Sequence, residues 1–170
     1  FADAFMAVQQ MIEKGWILAG HDISAGGLIT TLLEMCFANQ KGGLHINLHD
    51  ICKDGDIVKA LFAENPGVVI EVSDEYKQEF KDFMEEQGVG YAKMGYPVED
   101  SRELVVVYPG KSSDSGESCS FTFDIDALRD TWYKTSYLLD RKQSFNGKAK
   151  ERFENYKKQP IEMKFPKGFT

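Results

Sequence analysis

Asp22, Ser24, Gly26 and Gly27 stand together in the run His21-Asp22-Ile23-Ser24-Ala25-Gly26-Gly27-Leu28. An apolar stretch, Trp16-Ile17-Leu18-Ala19, precedes it, and a helical apolar pattern follows from Leu28 to Phe37. A carboxylate, a hydroxyl and two glycines are therefore expected where a strand gives way to a helix. A helix N-terminus offers free backbone N–H groups and the positive end of the helix dipole, which suits a phosphate or a carboxylate. A carboxylate placed like Asp22 can hold the cation that accompanies a nucleotide. The same residues also suit a local role: Ser24 as a plain N-cap, the glycines as a tight helix entry, and Asp22 as a turn residue. The residue types alone leave both readings open.

Other chemical signals are weaker. Gly110-Lys111-Ser112 has the ending of a phosphate-binding loop, but Val105 stands five positions earlier where that loop needs glycine. A hairpin loop is the expected state of this segment. His45 and His49 are four apart in a strand-like segment without the HExxH pattern, so they read as surface histidines. Cys36 lies on an apolar helical stripe and is expected to pack rather than to react. The basic cluster of Lys148 to Lys158 includes Glu151 and Glu154 and reads as a solvated helix face.

The elements that must position these residues follow from periodicity. Phe1, Phe5, Val8 and Ile12 recur at helical spacing and Gly15 terminates that helix. Trp16 to Ala19 is a short strand, and Ala25 to Ala38 a second helix with Leu28, Ile29, Leu32, Leu33 and Cys36 inward. Leu44 to Leu48 alternates as a half-buried strand. A short helix over Asp54 to Phe62 and a β-branched strand over Val68 to Val72 come next. A helix over Asp74 to Gln87 has Ser73 as its N-cap and turns Tyr76, Phe80 and Phe83 inward. Tyr91 to Val98, Leu104 to Tyr108 and Ser120 to Ile125 are strands, with a polar Gly/Ser loop from Gly110 to Ser118. Asp126 caps a long helix that carries Leu128, Trp132, Thr135 and Leu139 on one face. Beyond Gln143, where Asn146-Gly147 breaks the helix, an extended arm is expected, anchored by Phe153 and Tyr156 and punctuated by Pro160 and Pro166. The fold class is α+β, with a mixed, largely antiparallel sheet and packed helices. Residues 1–126 form one domain, and 127–170 a helix and linker.

Composition sets the outer limits. The chain has 170 residues, 42% hydrophobic and 28% charged, which suits a globular domain with a proper core. A net charge of −7 argues against a general nucleic-acid binder, which carries a basic face. The three cysteines, Cys36, Cys52 and Cys119, are scattered, with no CxxC pattern, so neither zinc nor a disulfide framework is expected and reduced cytosolic thiols are. No uninterrupted apolar run is long enough to span a bilayer, so no membrane partner is expected. The opening Phe1-Ala2-Asp3-Ala4-Phe5 reads as the inside of a helix, as in a piece of a longer chain.

Three blocks carry a family resemblance. The run His21 to Leu28, continued by Leu32-Leu33-Glu34-Met35-Cys36-Phe37-Ala38 and Gly42-Gly43-Leu44, resembles the signature of the last synthetase subdomain in the phosphoribosylformylglycinamidine synthase family. Leu61-Phe62-Ala63-Glu64-Asn65-Pro66-Gly67-Val68 is similar to that family's Leu-Phe-Ala-Glu-Glu-x-Gly stretch. Leu128-Arg129-Asp130, with Trp132 and Thr135-Ser136-Tyr137, resembles the helix that leaves the subdomain toward a glutaminase domain. The chain departs from the pattern at Ala25, where many members have aspartate, and at Asn65, where glutamate is common.

The resemblance implies the C-terminal domain fold of the aminoimidazole ribonucleotide synthetase superfamily. It also implies part of a cytoplasmic, glutamine-dependent C–N ligase of purine biosynthesis. Such enzymes make formylglycinamidine ribonucleotide from formylglycinamide ribonucleotide, ATP and glutamine. By the same resemblance Asp22 ligates magnesium and Ser24 contacts the nucleotide, either ATP or a structurally held ADP, and no catalytic acid or base is carried over. His21 is at most an outer partner of that site or an ordinary turn residue. The implied partners are the remaining synthetase and glutaminase domains and small-molecule substrates, and the fragment alone is expected to be inactive. Two alternatives stand beside this: another ATP-dependent member of the superfamily, and a non-catalytic interaction module of the same fold.

Overall fold

The computed structural model describes residues 1–110 and 118–158. Residues 111–117 of the Gly/Ser loop, with the Lys111-Ser112 pair, and the tail with Pro160 and Pro166 lie outside the described residues. The chain divides into two compact units, Phe1–Asp126 and a second beginning at Ala127.

In the first unit the elements run α1 (Ala2–Glu13), β1 (Ile17–Ile23), α2 (Gly27–Phe37), β2 (Gly43–Asn47), α3 (Ile57–Phe62) and β3 (Gly67–Val72). A single 3-10 turn, Asp74–Tyr76, leads into α4 (Lys77–Glu86), followed by β4 (Gly95–Val98), β5 (Glu103–Pro109) and β6 (Ser118–Asp124). β1 and β3 form an antiparallel pair, and the other four strands form a sheet in the order β4-β2-β5-β6. Only β2 and β5 are parallel there; the pairings of β4 with β2 and of β6 with β5 are antiparallel. The fold is thus α+β with a mixed, largely antiparallel sheet, as the sequence indicates.

Several boundaries differ from the sequence expectation, each for a physical reason. β1 extends past Ala19 to Ile23, because β3 supplies a backbone partner as far as Ile23 opposite Gly67. Ladder hydrogen bonds do not require apolar side chains, so the polar Gly20-His21-Asp22 does not end the strand. His21 and Asp22 are therefore strand residues, paired with Val69 and Val68, and not turn residues. β4 begins only at Gly95, since its partner β2 runs out at Asn47. Ser73 makes no side-chain cap to the following helix; its carbonyl accepts from Tyr76 N–H and closes the 3-10 turn.

α1 buries Ala7 and Met11, while Phe5 and Ile12 on the expected apolar stripe stay half exposed and Phe1 almost fully so. The inward ridge meets Phe83 and Met84 of α4, with Val8, Trp16, Ile70 and Phe80 packed around them. A small residue beside a flexible thioether lets the two helices approach closely, which Phe5 in that position would prevent. On α2 the expected stripe is buried throughout: Leu28, Ile29, Leu32, Leu33 and Cys36. Each such aliphatic side chain contributes roughly 1.5–3 kcal/mol. α2 packs on β1 and α3, which places its N-terminus beside the second sequence block.

Arg102 closes the other end of α2. Its guanidinium donates to the carbonyls of Cys36 and Gly42 and pairs with Asp126 at 2.8 Å. Helix α5 (Ile125–Gln143) begins one residue before Asp126, so Asp126 sits in its first turn and accepts from Arg102 instead of capping.

In the second unit the packed face of α5 is Arg129, Tyr133 and Tyr137, three residues at i, i+4 spacing, whereas Trp132 and Leu139 of the expected stripe are half exposed. The segment expected as an extended arm is partly helical: α6 (Lys148–Glu154) and a 3-10 turn, Tyr156–Lys158. Phe153 stacks on Tyr137 at 4.6 Å, and the Arg129 guanidinium lies 3.5 Å from the Tyr156 ring centre. These contacts supply the tertiary support that a seven-residue helix lacks by itself. The break at Asn146-Gly147 is present, both residues having left-handed backbone.

Candidate nucleotide-facing site

The site is built from the end of β1, the loop Ser24 to Gly26, and the first turns of α2. β1 delivers Asp22 to the loop with its carboxylate about 71% exposed, and Ser24 and Ala25 are exposed beside it. α2 begins at Gly27 rather than Ala25, and its N-cap is Gly26, so Ser24 does not cap the helix. The Ser24 carbonyl instead accepts from Gly27 N–H.

The loop is held from three sides. Thr31 Oγ1, in the buried second turn of α2, donates to the Asp22 carbonyl at 3.0 Å. His21 Nδ1 lies 2.8 Å from the same carbonyl, and a carbonyl can only accept, so this nitrogen carries a hydrogen. Glu64, from the second sequence block, accepts from Gly26 N–H at 2.8 Å. One of the N–H groups expected to face a phosphate is thus engaged by the chain's own carboxylate.

Gly27 is what lets the two blocks meet. Its φ is +72°, and a Cβ there would lie 2.7 Å from the Phe62 carbonyl carbon and 2.8 Å from the Leu61 oxygen, both backbone atoms. A side chain at Gly27 would drive α2 away from α3 and open the loop. The first block therefore packs its glycine on Leu61 and Phe62, bonds Gly26 to Glu64, and pairs Ile23 with Gly67.

His21 Nε2 lies 3.2 Å from Glu34 Oε2, and His21 Nδ1 lies 3.4 Å from Asp22 Oδ1. Glu64 and Glu34 are site residues that sequence reasoning passed over, although both stand in the quoted blocks. A helical spacing of three was the available sign that Glu34 shares a face of α2 with Thr31; no such spacing marks Glu64.

A magnesium ion accompanying a nucleotide takes one or two carboxylates and completes its shell with phosphate oxygens and water. An exposed Asp22 fits that shared role. Among the described residues no three of His, Cys, Asp and Glu gather as a self-sufficient metal centre. An open groove of about 410 Å³ lies nearby, lined by Ile23, Leu28, Ile51, Lys59, Ala63 and Asn65 among others, but neither Asp22 nor Ser24 lines it. Its charged lining is Asp50, Lys53, Asp54 and Lys59. Lys59 pairs with Asp54 at 3.1 Å, and that hydrogen bond lowers the Asp54 carboxyl below its ordinary range and raises Lys59.

The remaining sequence candidates lie apart from this loop. His45 stacks on Tyr96, and exposed His49 bonds to Asn47 and Ser118. Cys36 is buried, and burial pushes its thiol pKa up, as expected of a packing residue. No helix among the described residues is long and apolar enough to cross a membrane.

A mixed α+β domain with this glycine-hinged loop defines a class, and the comparison with family models agrees. The chain belongs to the family described as AIR synthase related protein, C-terminal domain, which matches residues 3–108. More particularly, it is similar to phosphoribosylformylglycinamidine synthases. It is 31% identical over 153 residues to that of Dictyostelium discoideum, covering 84% of this chain and 11% of the relative. It is 37% identical over 142 residues to a probable chloroplastic/mitochondrial one of Arabidopsis thaliana, covering 83% and 9%. The chain thus spans about a tenth of the length of these relatives. The major tegument protein of Epstein-Barr virus (strain AG876) is 46% identical over 70 residues, covering 41% of this chain and 5% of that protein. The solved structure of T. maritima PurL complexed with ADP matches with a TM-score of 0.57 at 14% identity, over 75% of this chain and 21% of that one, a likeness of fold.

Proposed function

We propose that this chain is part of a cytoplasmic phosphoribosylformylglycinamidine synthase and forms one wall of a nucleotide–magnesium site. Asp22 ligates the magnesium and Ser24 contacts the nucleotide. The observation that carries this reading is the exposed Asp22 carboxylate beside Ser24, on a loop held from behind by Thr31, His21 and Glu64. A wall of this kind is rigid where it meets the protein and open where it meets a ligand.

In the reaction, ATP phosphorylates the amide oxygen of formylglycinamide ribonucleotide, and ammonia released from glutamine displaces the phosphate. Magnesium neutralises the phosphate charge. This chain's residues hold one end of the nucleotide; the other walls and the ammonia source belong to the synthetase and glutaminase domains. Ala25 removes a carboxylate from the exposed edge of the loop, which favours retention of a nucleotide, ATP or ADP, over turnover at this wall. T. maritima PurL has been solved with each of these nucleotides, which supports a nucleotide role for the fold.

The test is nucleotide retention in the full-length protein. Asp22→Ala and Ser24→Ala are expected to purify with less bound nucleotide than the parent; unchanged occupancy in both would overturn the assignment. The isolated chain is expected to show no ATP-dependent formation of formylglycinamidine ribonucleotide. A second reading, a non-catalytic interaction module of the same fold, is favoured by the departures at Ala25 and Asn65, where the family pattern has carboxylates. A full-length protein that binds no nucleotide at all would select it.

A further inference from the structure

Asn47, His49 and Ser118 form a hydrogen-bonded trio at one end of the four-stranded sheet. We infer that this trio is an acyl-transfer site, with Ser118 as nucleophile, His49 as base and Asn47 as the residue that positions the base. Its substrates are activated carboxylic esters, and it stands independently of the nucleotide reading.

The sheet places the three side chains. Asn47 lies opposite Val107, and Val107 opposite Ser120, so Asn47, Ser120 and Ser118 share one face. Between Asn47 and His49, Leu48 is fully buried, and its N–H donates to the Val107 carbonyl at 2.8 Å. Asn47, His49 and Ser118 are themselves exposed, and so open to a substrate.

The hydrogen positions follow from the acceptors. Asn47 Oδ1 accepts from the His49 backbone N–H at 2.9 Å, which identifies that atom as the amide oxygen. His49 Nδ1 lies 2.7 Å from the same oxygen and therefore carries a hydrogen. In the neutral imidazole Nε2 is then a bare acceptor, and Ser118 Oγ stands 3.2 Å from it. A hydroxyl, a base able to take its proton and a third group that orients the base are what nucleophilic catalysis requires. The Leu48 bond turns Val107 toward β2, so Tyr108 and its partner Cys119 bond to each other across β5 and β6. The Ser118 N–H consequently faces away from β5, where it can donate to the oxyanion of an attacked ester.

In the reaction Ser118 Oγ bonds to the ester carbonyl carbon while its proton passes to His49 Nε2. The bond from that carbon to the leaving oxygen then breaks, and the leaving group takes the proton from Nε2. Water, giving a proton to the same nitrogen, attacks the acyl group, and the proton returns to Ser118 as the acid departs. Neutral Asn47 stabilises an imidazolium less than a carboxylate does, which favours esters with good leaving groups over amides.

The experiment uses the full-length protein and two probes. A fluorophosphonate bonds phosphorus to a nucleophilic serine with loss of fluoride, and mass spectrometry of the digest locates the adduct; p-nitrophenyl acetate reports turnover. The adduct is expected on Ser118 and not on Ser120, its exposed neighbour on the same face. Release of p-nitrophenolate should exceed the buffer rate, and Ser118→Ala should abolish both signals. His49→Ala should slow labelling by about 100-fold or more. Asn47→Ala should slow it too, and Asn47→Asp, which keeps an acceptor for both His49 hydrogens, should restore the parent rate or exceed it. Nucleotide retention should be unchanged in all of these variants, which separates this site from the Asp22 loop. No adduct on Ser118, equal labelling of Ser120, or a rate that His49→Ala leaves unchanged would overturn the inference. An unchanged rate in Asn47→Ala would overturn the positioning role of Asn47. Should a variant fail to fold, the ratio of Ser118 to Ser120 labelling in the parent still decides.

Discussion

Glu64 Oε1 accepts a hydrogen bond from Gly26 N–H at 2.8 Å, joining residues 38 apart in sequence. This bond makes the acidic residue of the second block a brace for the glycine loop of the first. The donor is among the amides at the start of α2, where a carboxylate is favoured by the helix dipole as well as by the bond itself.

Glu64→Ala is therefore expected to loosen the loop without unfolding the domain. The bond is exposed to solvent, so the loss should be about 1 kcal/mol. Denaturant unfolding of the purified chain checks the magnitude. Hydrogen exchange should show faster exchange at Gly26 and Gly27, and Glu64→Gln, which keeps an acceptor oxygen, should lie between the parent and alanine.

Gly27→Ala should be far more damaging. The methyl group would meet the backbone of Leu61 and Phe62, which cannot rotate aside, and the residue would have to hold φ at +72°. A left-handed alanine and an overpacked contact together predict a loss of about 2–4 kcal/mol. Gly26→Ala is the comparison: it carries the same left-handed penalty at φ +87°, but the nearest atoms its methyl meets belong to the Thr30 side chain rather than to backbone, so a smaller loss is expected. Melting temperatures of the two variants should differ clearly in that order.

The second unit should loosen in acid. Arg152 donates to both oxygens of Asp140, and Ser144 adds a hydrogen bond; these hold the Asp140 carboxyl below its ordinary pKa, Arg152 being the larger cause. A carboxyl depressed in the folded state stabilises above its unfolded pKa. That contribution fades as pH falls from about 4 through the folded value. Hydrogen exchange of α6 is expected to speed up over that range, and Asp140→Asn should remove the dependence. A pH-independent α6 in the parent chain would contradict the clasp.

Thiol labelling should follow burial. Cys119 is exposed, whereas Cys36 and Cys52 are buried, and burial raises the thiol pKa of both. Only thiolates alkylate readily. Iodoacetamide near neutral pH is expected to modify Cys119 first, and Cys36 and Cys52 only on unfolding; mass spectrometry of digested protein reads the order.

The apolar stripe of α2 was legible in the sequence, because helical periodicity names the buried positions whatever they pack against. The β-branched strand over Val68 to Val72 was legible for a similar local reason. So was the loop from Ser24 to Gly26, since its residue types are those a strand-to-helix junction requires. The end of β1 was not, because a polar strand end is decided by whether a partner strand continues, and β3 does so as far as Gly67. Nor was the inward face of α1, where the Ala7–Met11 ridge was selected by Phe83 and Met84 on a helix far along the chain. The sequence by itself determined most element types of the first unit and the apolar positions of α2. Only the tertiary structure decided that Glu64 braces Gly26, that Glu34 reaches His21, and that α6 folds onto the aromatic face of α5. Each of those contacts joins residues whose separation along the chain carries no periodic signal, so only closure of the fold brings them within hydrogen-bond or ring-stacking distance.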